Sequence, residues 1–181
     1  KPVLSHVTVF EVPTYHKLLI TSDVAVIPAP DFKQKTAITQ YVINTAKTLG
    51  IETPKVAMIA PTEQMSVGIP SCVDAALIAA MGNRGQIKGA IIDGPLALDV
   101  AIDKESAQIK KLKGEVAGDA DCLVWPNIES GNVFYKSCTK FAKAELAAMV
   151  VGAKVPCVLS SRGDSTKTKM YSIALAALSC K

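Results

Sequence analysis

Short apolar runs that end abruptly at proline or glycine, each followed by a stretch with helical spacing, constrain this chain more than any other feature. Val56-Ala-Met-Ile-Ala60 stops at Pro61, Gly89-Ala-Ile-Ile-Asp93 at Gly94-Pro95, and Cys122-Leu-Val-Trp125 at Pro126. Val155-Pro-Cys-Val-Leu159 reads as a further strand. The stretches Ser71–Met81, Leu96 to about Leu112, Gly131 to about Val150, and Thr166–Leu178 read as helices. A strand that is apolar without alternation buries both faces, and strands alternating with helices pair in parallel beneath helical layers. The expected fold is therefore α/β: a three-layer α/β/α with a mostly parallel sheet.

The first part of the chain reads differently. Residues 3–12 are rich in β-branched side chains and partly alternate, residues 13–15 form a turn, and residues 18–27 read as a second strand, so the two pair as a hairpin. Asp31 then caps a helix carrying Ile38, Tyr41, Val42, Thr45, Ala46 and Leu49 at helical spacing, and Gly50 closes it.

Composition narrows the function classes. With 49% hydrophobic and 20% charged residues among 181, the chain is not disordered, and it is long enough to hide roughly 70% of its unfolded surface. Aromatics are 5%, so the core is aliphatic and alanine-rich. A net charge of +4 suits a small anionic ligand and falls short of a nucleic-acid footprint. No apolar run reaches the roughly 18 residues of a membrane span, and no signal peptide or lipidation motif is visible. The five cysteines are scattered, with no C-x-x-C pair, and read as reduced, buried thiols of a cytoplasmic protein. His6 and His16 lie too far apart for a helical metal pair and are assigned no role; no metal site is expected. No G-x-G-x-x-G follows a strand, which disfavours a dehydrogenase.

Ligands of open α/β sheets bind beyond the carboxyl ends of the strands, and three stretches there carry candidate chemistry. In Ile92-Asp93-Gly94-Pro95-Leu96-Ala97-Leu98-Asp99, Asp99 is a functional acid or simply a cap. In Trp125-Pro126-Asn127-Ile128-Glu129-Ser130-Gly131-Asn132-Val133-Phe134-Tyr135-Lys136, a strand runs into a polar loop that opens a helix. Its free N–H groups and Lys136 either hold an anion or form an ordinary capped helix start. In Leu159-Ser160-Ser161-Arg162-Gly163-Asp164-Ser165-Thr166, Arg162 offers bidentate recognition of phosphate, Gly163 lets backbone approach a ligand, and Asp164 can take a proton; otherwise this too is a capped helix with a surface arginine. Lys110-Lys111-Leu112-Lys113 reads as a solvated face or an attractor of a polyanion.

These stretches resemble the phosphate acetyl/butyryltransferase family, closest to its butyryl branch. The likeness rests on residues 4–13 (Leu-Ser-His-Val-Thr-Val-Phe-Glu-Val-Pro), 70–76, 84–99, 116–121, 126–136 and 152–156, with Ser161-Arg162, and spans essentially the whole chain. It implies reversible transfer of a short acyl group between coenzyme A and inorganic phosphate, with acyl-CoA, phosphate and acyl phosphate as the partners and no metal. It also implies a cytoplasmic homodimer. In such proteins the Ser-Arg turn after the last strand is catalytic, which maps onto Ser161 and Arg162. In the acetyl branch an aspartate follows on the first helical turn; here that stretch is Ser165-Thr166-Lys167-Thr168, so Asp164 is the expected base.

The chemistry suits these residue types. A thiol with a pKa of about 8.5 is mostly protonated at neutral pH, so a positioned carboxylate helps generate the thiolate. Arg162 offsets charge on the tetrahedral intermediate, Ser161 hydrogen-bonds sulfur or acyl oxygen, and Asn132, Tyr135 and Lys136 hold the phosphate end. Family members have two α/β domains, the second inserted in the first. On that pattern residues 1–156 correspond mostly to the second domain, and 157–181 form a strand and helix returning to an incomplete first domain. Little or no activity is expected of such a fragment, and a turnover assay beside a full-length protein tests it. The competing expectation is a non-catalytic domain sensing acyl-CoA, like those fused to some malic enzymes; retention of Ser161, Arg162 and an acid favours the enzyme.

Overall fold

The computed structural model describes residues 2–180. Its six strands are β1 (Ser5–Glu11), β2 (Leu19–Ser22), β3 (Lys55–Ile59), β4 (Ile91–Leu96), β5 (Cys122–Val124) and β6 (Glu145–Val151). The six helices are α1 (Phe32–Thr48), α2 (Pro70–Asn83), α3 (Leu98–Ile102), α4 (Lys104–Ile109), α5 (Ile128–Lys140) and α6 (Thr166–Leu178). The strands form one sheet in the order β4-β3-β5-β2-β1-β6. β4, β3, β5 and β2 run parallel, and β1 is antiparallel to both β2 and β6. The expected hairpin of β1 and β2 is present, with Val9 opposite Ile20.

Alternation along the central strands feeds two apolar layers. Val56, Met58, Cys122 and Val124 face α1, α2 and Leu175 of α6. Ala57, Ile59, Leu123 and Trp125 face the layer that holds Val100 and Ala101 of α3 and Tyr135 and Cys138 of α5. This is the three-layer arrangement. Helix α1 starts at the expected cap: Asp31 accepts from the Gln34 N–H, and the Gln34 side chain accepts from the Asp31 N–H, each at 2.8 Å. Its one buried lysine, Lys35, is neutralised by Asp74 at 2.7 Å.

Several expectations are corrected. Cys72, Cys122 and Cys138 are buried as expected, but Cys157 and Cys180 are exposed. The helix expected from Gly131 to about Val150 is α5 followed by strand β6, with Lys143 reversing the chain at a left-handed φ of 55°. Glu-Leu-Ala-Ala-Met-Val-Val favours helix through its alanines, but pairing with β1 from Glu11↔Glu145 to Ser5↔Val151 overrides that local preference. The strand expected at Val155–Leu159 is reduced to a single bridge between Cys157 and Val150. And β4 does not stop at Gly94-Pro95: it starts at Ile91 and runs through both residues to Leu96. The helical stretch after Leu96 is split at Asp103, whose carboxylate caps α4 through the Ser106 N–H at 2.7 Å. Helix α6 lies along β6, where the Ser172 hydroxyl accepts from the Ala148 N–H at 3.0 Å and so covers the edge of the sheet.

Candidate active site

The connections after β2 and β5 leave the sheet on opposite sides, α1 to one face and α5 to the other. Two adjacent parallel strands whose helices diverge leave a crevice at their carboxyl ends. A cavity of about 360 Å³ opens there. Val24 and Ala25 line it from the turn after β2, Asn132, Tyr135 and Lys136 from α5, and Leu159, Ser160, Ser161 and Arg162 from the loop before α6. His6, at the start of β1, completes the wall. The second and third candidate loops thus meet on one cavity.

Helix α5 is held against that crevice from several sides. Asn127 caps it, accepting from the Ser130 N–H at 3.0 Å. Gly131 sits where any Cβ would collide with the Asp23 carbonyl oxygen and press on Trp125, so only glycine lets the helix start this close to the turn after β2. The Asn132 amide donates to the Val24 carbonyl at 3.0 Å. Phe134 packs tilted on Trp125 with centroids 4.8 Å apart, and Phe10 meets Tyr135 edge-on at 5.5 Å. The Trp125 indole N–H in turn donates to the Thr21 hydroxyl of β2.

Lys136 Nζ lies 4.8 Å from the centroid of the Tyr135 ring, a cation–π contact at the cavity edge. Tyr135 is buried, and its hydroxyl donates to Asp164 Oδ1 at 3.4 Å. Burial first, and the neighbouring Asp164 second, push the phenol pKa well up, so the hydroxyl remains a donor. Asp164 Oδ2 accepts from the Ser161 N–H at 2.6 Å, and the Asp164 N–H donates to the Ser161 carbonyl at 3.0 Å. These bonds fix Ser161-Arg162-Gly163-Asp164 as a compact turn, and Ser165 then caps α6 through the Thr168 N–H at 3.1 Å. Gly163 stands apart from the cavity lining, and a Cβ there would meet nothing within 4 Å. Among the described residues, Lys136 and Arg162 form no salt bridge, whereas five of the other lysines do: Lys17, Lys35, Lys55, Lys110 and Lys167. Two cations therefore line one cavity without a salt-bridge partner among the described residues, an arrangement that suits an anion.

The first candidate loop lies elsewhere. Asp99 pairs with Lys110 at 3.0 Å and accepts from the Val100 N–H at 2.9 Å within the first turn of α3, whose N-cap is Ala97. Lys110 also reaches Glu63 at 3.5 Å. His16 joins an ion cluster with Asp119, Lys17, Lys55 and Asp121, where β3 and β5 begin. Among the described residues no group of three or more His, Cys, Asp or Glu side chains is placed to hold a metal ion.

Two residues of the site escaped the sequence reading. Asp23 is buried and accepts from Ser5 Oγ and the N–H groups of His6, Ala25, Val26 and Ile27, at 2.8 to 3.3 Å. It shapes the turn that presents Val24 and Ala25 to the cavity. Residues 18–27 read as one strand, which hid a turn beginning at residue 23. His6 stands at the beginning of β1, not beyond the end of a parallel strand, where the sequence points to ligands. An antiparallel neighbour brings its beginning to the same edge, and a histidine there is the signal. Burial holds its imidazole pKa below the usual value, against the opposing pull of Asp23, the Leu159 carbonyl and Asp164.

Comparison with known proteins identifies the family and the fold. The family described as phosphate acetyl/butaryl transferase matches residues 1–177. Phosphate butyryltransferase from Clostridium acetobutylicum is 48% identical over 175 residues, covering 97% of this chain and 58% of the relative. Phosphate acetyltransferase from Thermotoga maritima is 42% identical over 175 residues, covering 97% and 60%. A branched-chain phosphotransacylase from Enterococcus faecalis superposes with a TM-score of 0.90 at 38% identity, over 99% of this chain and 64% of that one. The chain thus spans somewhat less than two thirds of these relatives. On the family match and the shared fold together, the chain belongs to the phosphate acetyl/butaryl transferase family.

Proposed function

We propose that the cavity between α5 and the 159–164 loop is the phosphate and acyl-CoA site of a phosphate acyltransferase, moving a short acyl group reversibly between coenzyme A and inorganic phosphate. The observation that carries this reading is the convergence of Arg162 and Lys136, neither in a salt bridge among the described residues, on a cavity also lined by Asn132, Ser161 and Tyr135. Arg162 and Lys136 hold the phosphate oxygens, and the Ser161 hydroxyl donates to the acyl oxygen. A phosphate oxygen attacks the thioester carbonyl, the tetrahedral intermediate collapses with cleavage of the carbon–sulfur bond, and the thiolate leaves and takes up a proton. In reverse, Asp164 accepts the thiol proton, sulfur attacks the acyl phosphate carbonyl, and phosphate departs. Guanidinium and ammonium groups stabilise the oxyanion more strongly than they do the neutral thioester, which is what lowers the barrier.

Butyryl-like substrates are part of the proposal, supported by the names of relatives at 48% identity against 42% for the acetyltransferase. The cytoplasm, where acyl-CoA and phosphate occur together, and a homodimeric state belong to it as well; sedimentation reads the latter. So does the division of the chain at residue 156, with 157–181 returning to an incomplete first domain, a reading supported by Met170 and Ile173, which α6 leaves exposed. The test is release of free thiol from butyryl-CoA and from acetyl-CoA on addition of phosphate, with phosphate and CoA binding measured on the same protein. Phosphate-dependent thiol release, or saturable binding of both ligands that Arg162→Gln weakens, supports the reading. Absence of turnover together with absence of binding defeats it.

A further inference from the structure

Resting on that reading of the cavity, we propose that Asp23 is a positioning residue: its buried carboxylate folds the turn after β2 into the seat of the first turn of α5, and so sets where Asn132, Tyr135 and Lys136 stand toward the anion. Asp23 is 2% exposed and forms no salt bridge among the described residues. Its Oδ1 accepts from the N–H groups of Ala25 and Val26 at 2.8 and 2.9 Å. Its Oδ2 accepts from the Ile27 N–H at 3.3 Å, the His6 N–H at 3.2 Å and the Ser5 hydroxyl at 2.9 Å. Among the described residues no backbone carbonyl accepts from Ala25, Val26 or Ile27, so the acceptor of these three turn N–H groups is the carboxylate. Ser5 has one hydroxyl hydrogen and gives it to Asp23; the Ser22 hydroxyl, 2.9 Å away, therefore donates to Ser5. The start of β1 and the end of β2 are thus tied to the same side chain.

The turn so held meets the start of α5 at three points. The Val24 carbonyl accepts from the Asn132 side-chain amide at 3.0 Å. The Pro28 carbonyl accepts from the Ile128 N–H at 2.9 Å. The Asp23 carbonyl stands so close to Gly131 that a Cβ there would collide with it. Residues 23–28 carry all of these contacts, and the Asp23 side chain clasps 25–27 in their midst. Asn132 gives one of its two amide hydrogens to Val24 and keeps the other for an anion oxygen. Lys136, one helical turn further along α5, moves with it. Asp23 itself does not line the cavity, and both its oxygens are taken up by donors. It touches none of the reacting groups in this account; it acts through the turn and helix α5.

The test uses Asp23→Asn and Ser5→Ala. Asparagine keeps the shape but sets an NH2 group against N–H groups that need an acceptor; Ser5→Ala is milder and removes one donor to the carboxylate. Three readouts apply: amide hydrogen exchange of residues 25–27, the side-chain amide resonances of Asn132, and calorimetric titration with inorganic phosphate where each variant is fully folded. In the wild type the amides of Ala25, Val26 and Ile27 exchange about a hundredfold more slowly than in an unfolded chain. In Asp23→Asn the Asn132 amide resonances shift and phosphate affinity falls about tenfold. Ser5→Ala moves both in the same direction, the affinity by about threefold. A residue that only stabilised the fold would shift the unfolding midpoint and leave both readings of the folded protein unchanged. Unprotected amides at 25–27 in the wild type, Asn132 resonances that stay in place, or an unchanged phosphate affinity overturns the proposal. If Asp23→Asn does not fold, the wild-type exchange and Ser5→Ala decide. A wild-type chain that binds no phosphate defeats the anion reading of the cavity, while the exchange rates and the Asn132 resonances still decide the role of Asp23.

Discussion

The Tyr135 hydroxyl donates to Asp164 across 3.4 Å, joining helix α5 to the turn that carries Arg162. Two stretches nearly 30 residues apart in sequence (29) thereby share one hydrogen bond at the cavity wall. The same carboxylate holds the Ser161 N–H, so its two oxygens bind one group from each side of the cavity.

Removing that link separates geometry from folding. Tyr135→Phe keeps the aromatic packing on Phe10 and deletes only the donor. It lowers stability by about 0.5–1.5 kcal/mol, the net worth of one intramolecular hydrogen bond, and weakens phosphate binding because the Ser161–Asp164 turn loosens. Urea unfolding and calorimetric titration measure the two effects separately. Unchanged phosphate affinity contradicts the coupling.

Charge at the cavity is the second prediction. Arg162 is exposed and forms no salt bridge among the described residues, so Arg162→Gln leaves the unfolding midpoint essentially unmoved. Phosphate binding falls about tenfold to a hundredfold, the loss expected for charge-assisted hydrogen bonds. Raising the salt concentration weakens the wild-type affinity and has less effect on the variant. Equilibrium dialysis with labelled phosphate at two ionic strengths checks both statements.

Two glycines near the site should respond oppositely. Gly131→Ala forces a methyl group onto the Asp23 carbonyl and the Trp125 ring and costs about 1–3 kcal/mol, as overpacking does. Gly163→Ala meets open space and changes stability by less than about 0.5 kcal/mol. Chemical denaturation of the two variants side by side reads the contrast.

Stability has two separate pH windows. The His6 pKa is lowered in the fold by burial, so below its unfolded value of about 6.5 the unfolded chain takes up the proton more readily, and stability falls as pH drops through that value toward the folded one. Asp119 behaves oppositely to a simple buried acid. Burial alone raises its pKa, but hydrogen bonds from Lys55 at 2.6 Å and His16 at 2.8 Å, with Lys17 close by, hold it well below the carboxylate range. Its contribution is complete above the unfolded value of about 3.9 and is lost as pH falls below that. Urea midpoints between pH 7.5 and 5.0 therefore decline in the wild type and decline less in His6→Gln, while Asp119→Asn flattens only the acid limb.

The parts of this protein that sequence makes legible are those fixed locally. Helix α6 runs over the same residues as expected, and Asp31 caps α1 through its own neighbour Gln34. Strand β5 lies within the apolar run that announces it, and β3 is offset from its run by one residue. Strand β6 was not legible, because what makes Glu145–Val151 a strand is its partner β1, far away along the chain. The stretches holding the cavity residues Asn132, Tyr135, Lys136, Ser161 and Arg162 stand out because they follow apolar runs at the turns into helices, and the family resemblance singles out these residues within them. His6 and Asp23 could not, since their place depends on the hairpin that turns β1 against the parallel strands.

The most direct measurement is a titration of the isotopically labelled chain with inorganic phosphate, followed by amide chemical shifts. Saturable shifts at Ala25, Asn132, Lys136, Ser161 and Arg162, abolished by Arg162→Gln, are the predicted result. Shifts that gather instead around Lys110–Lys113, or that survive the loss of Arg162, contradict the assignment of this cavity as the anion site.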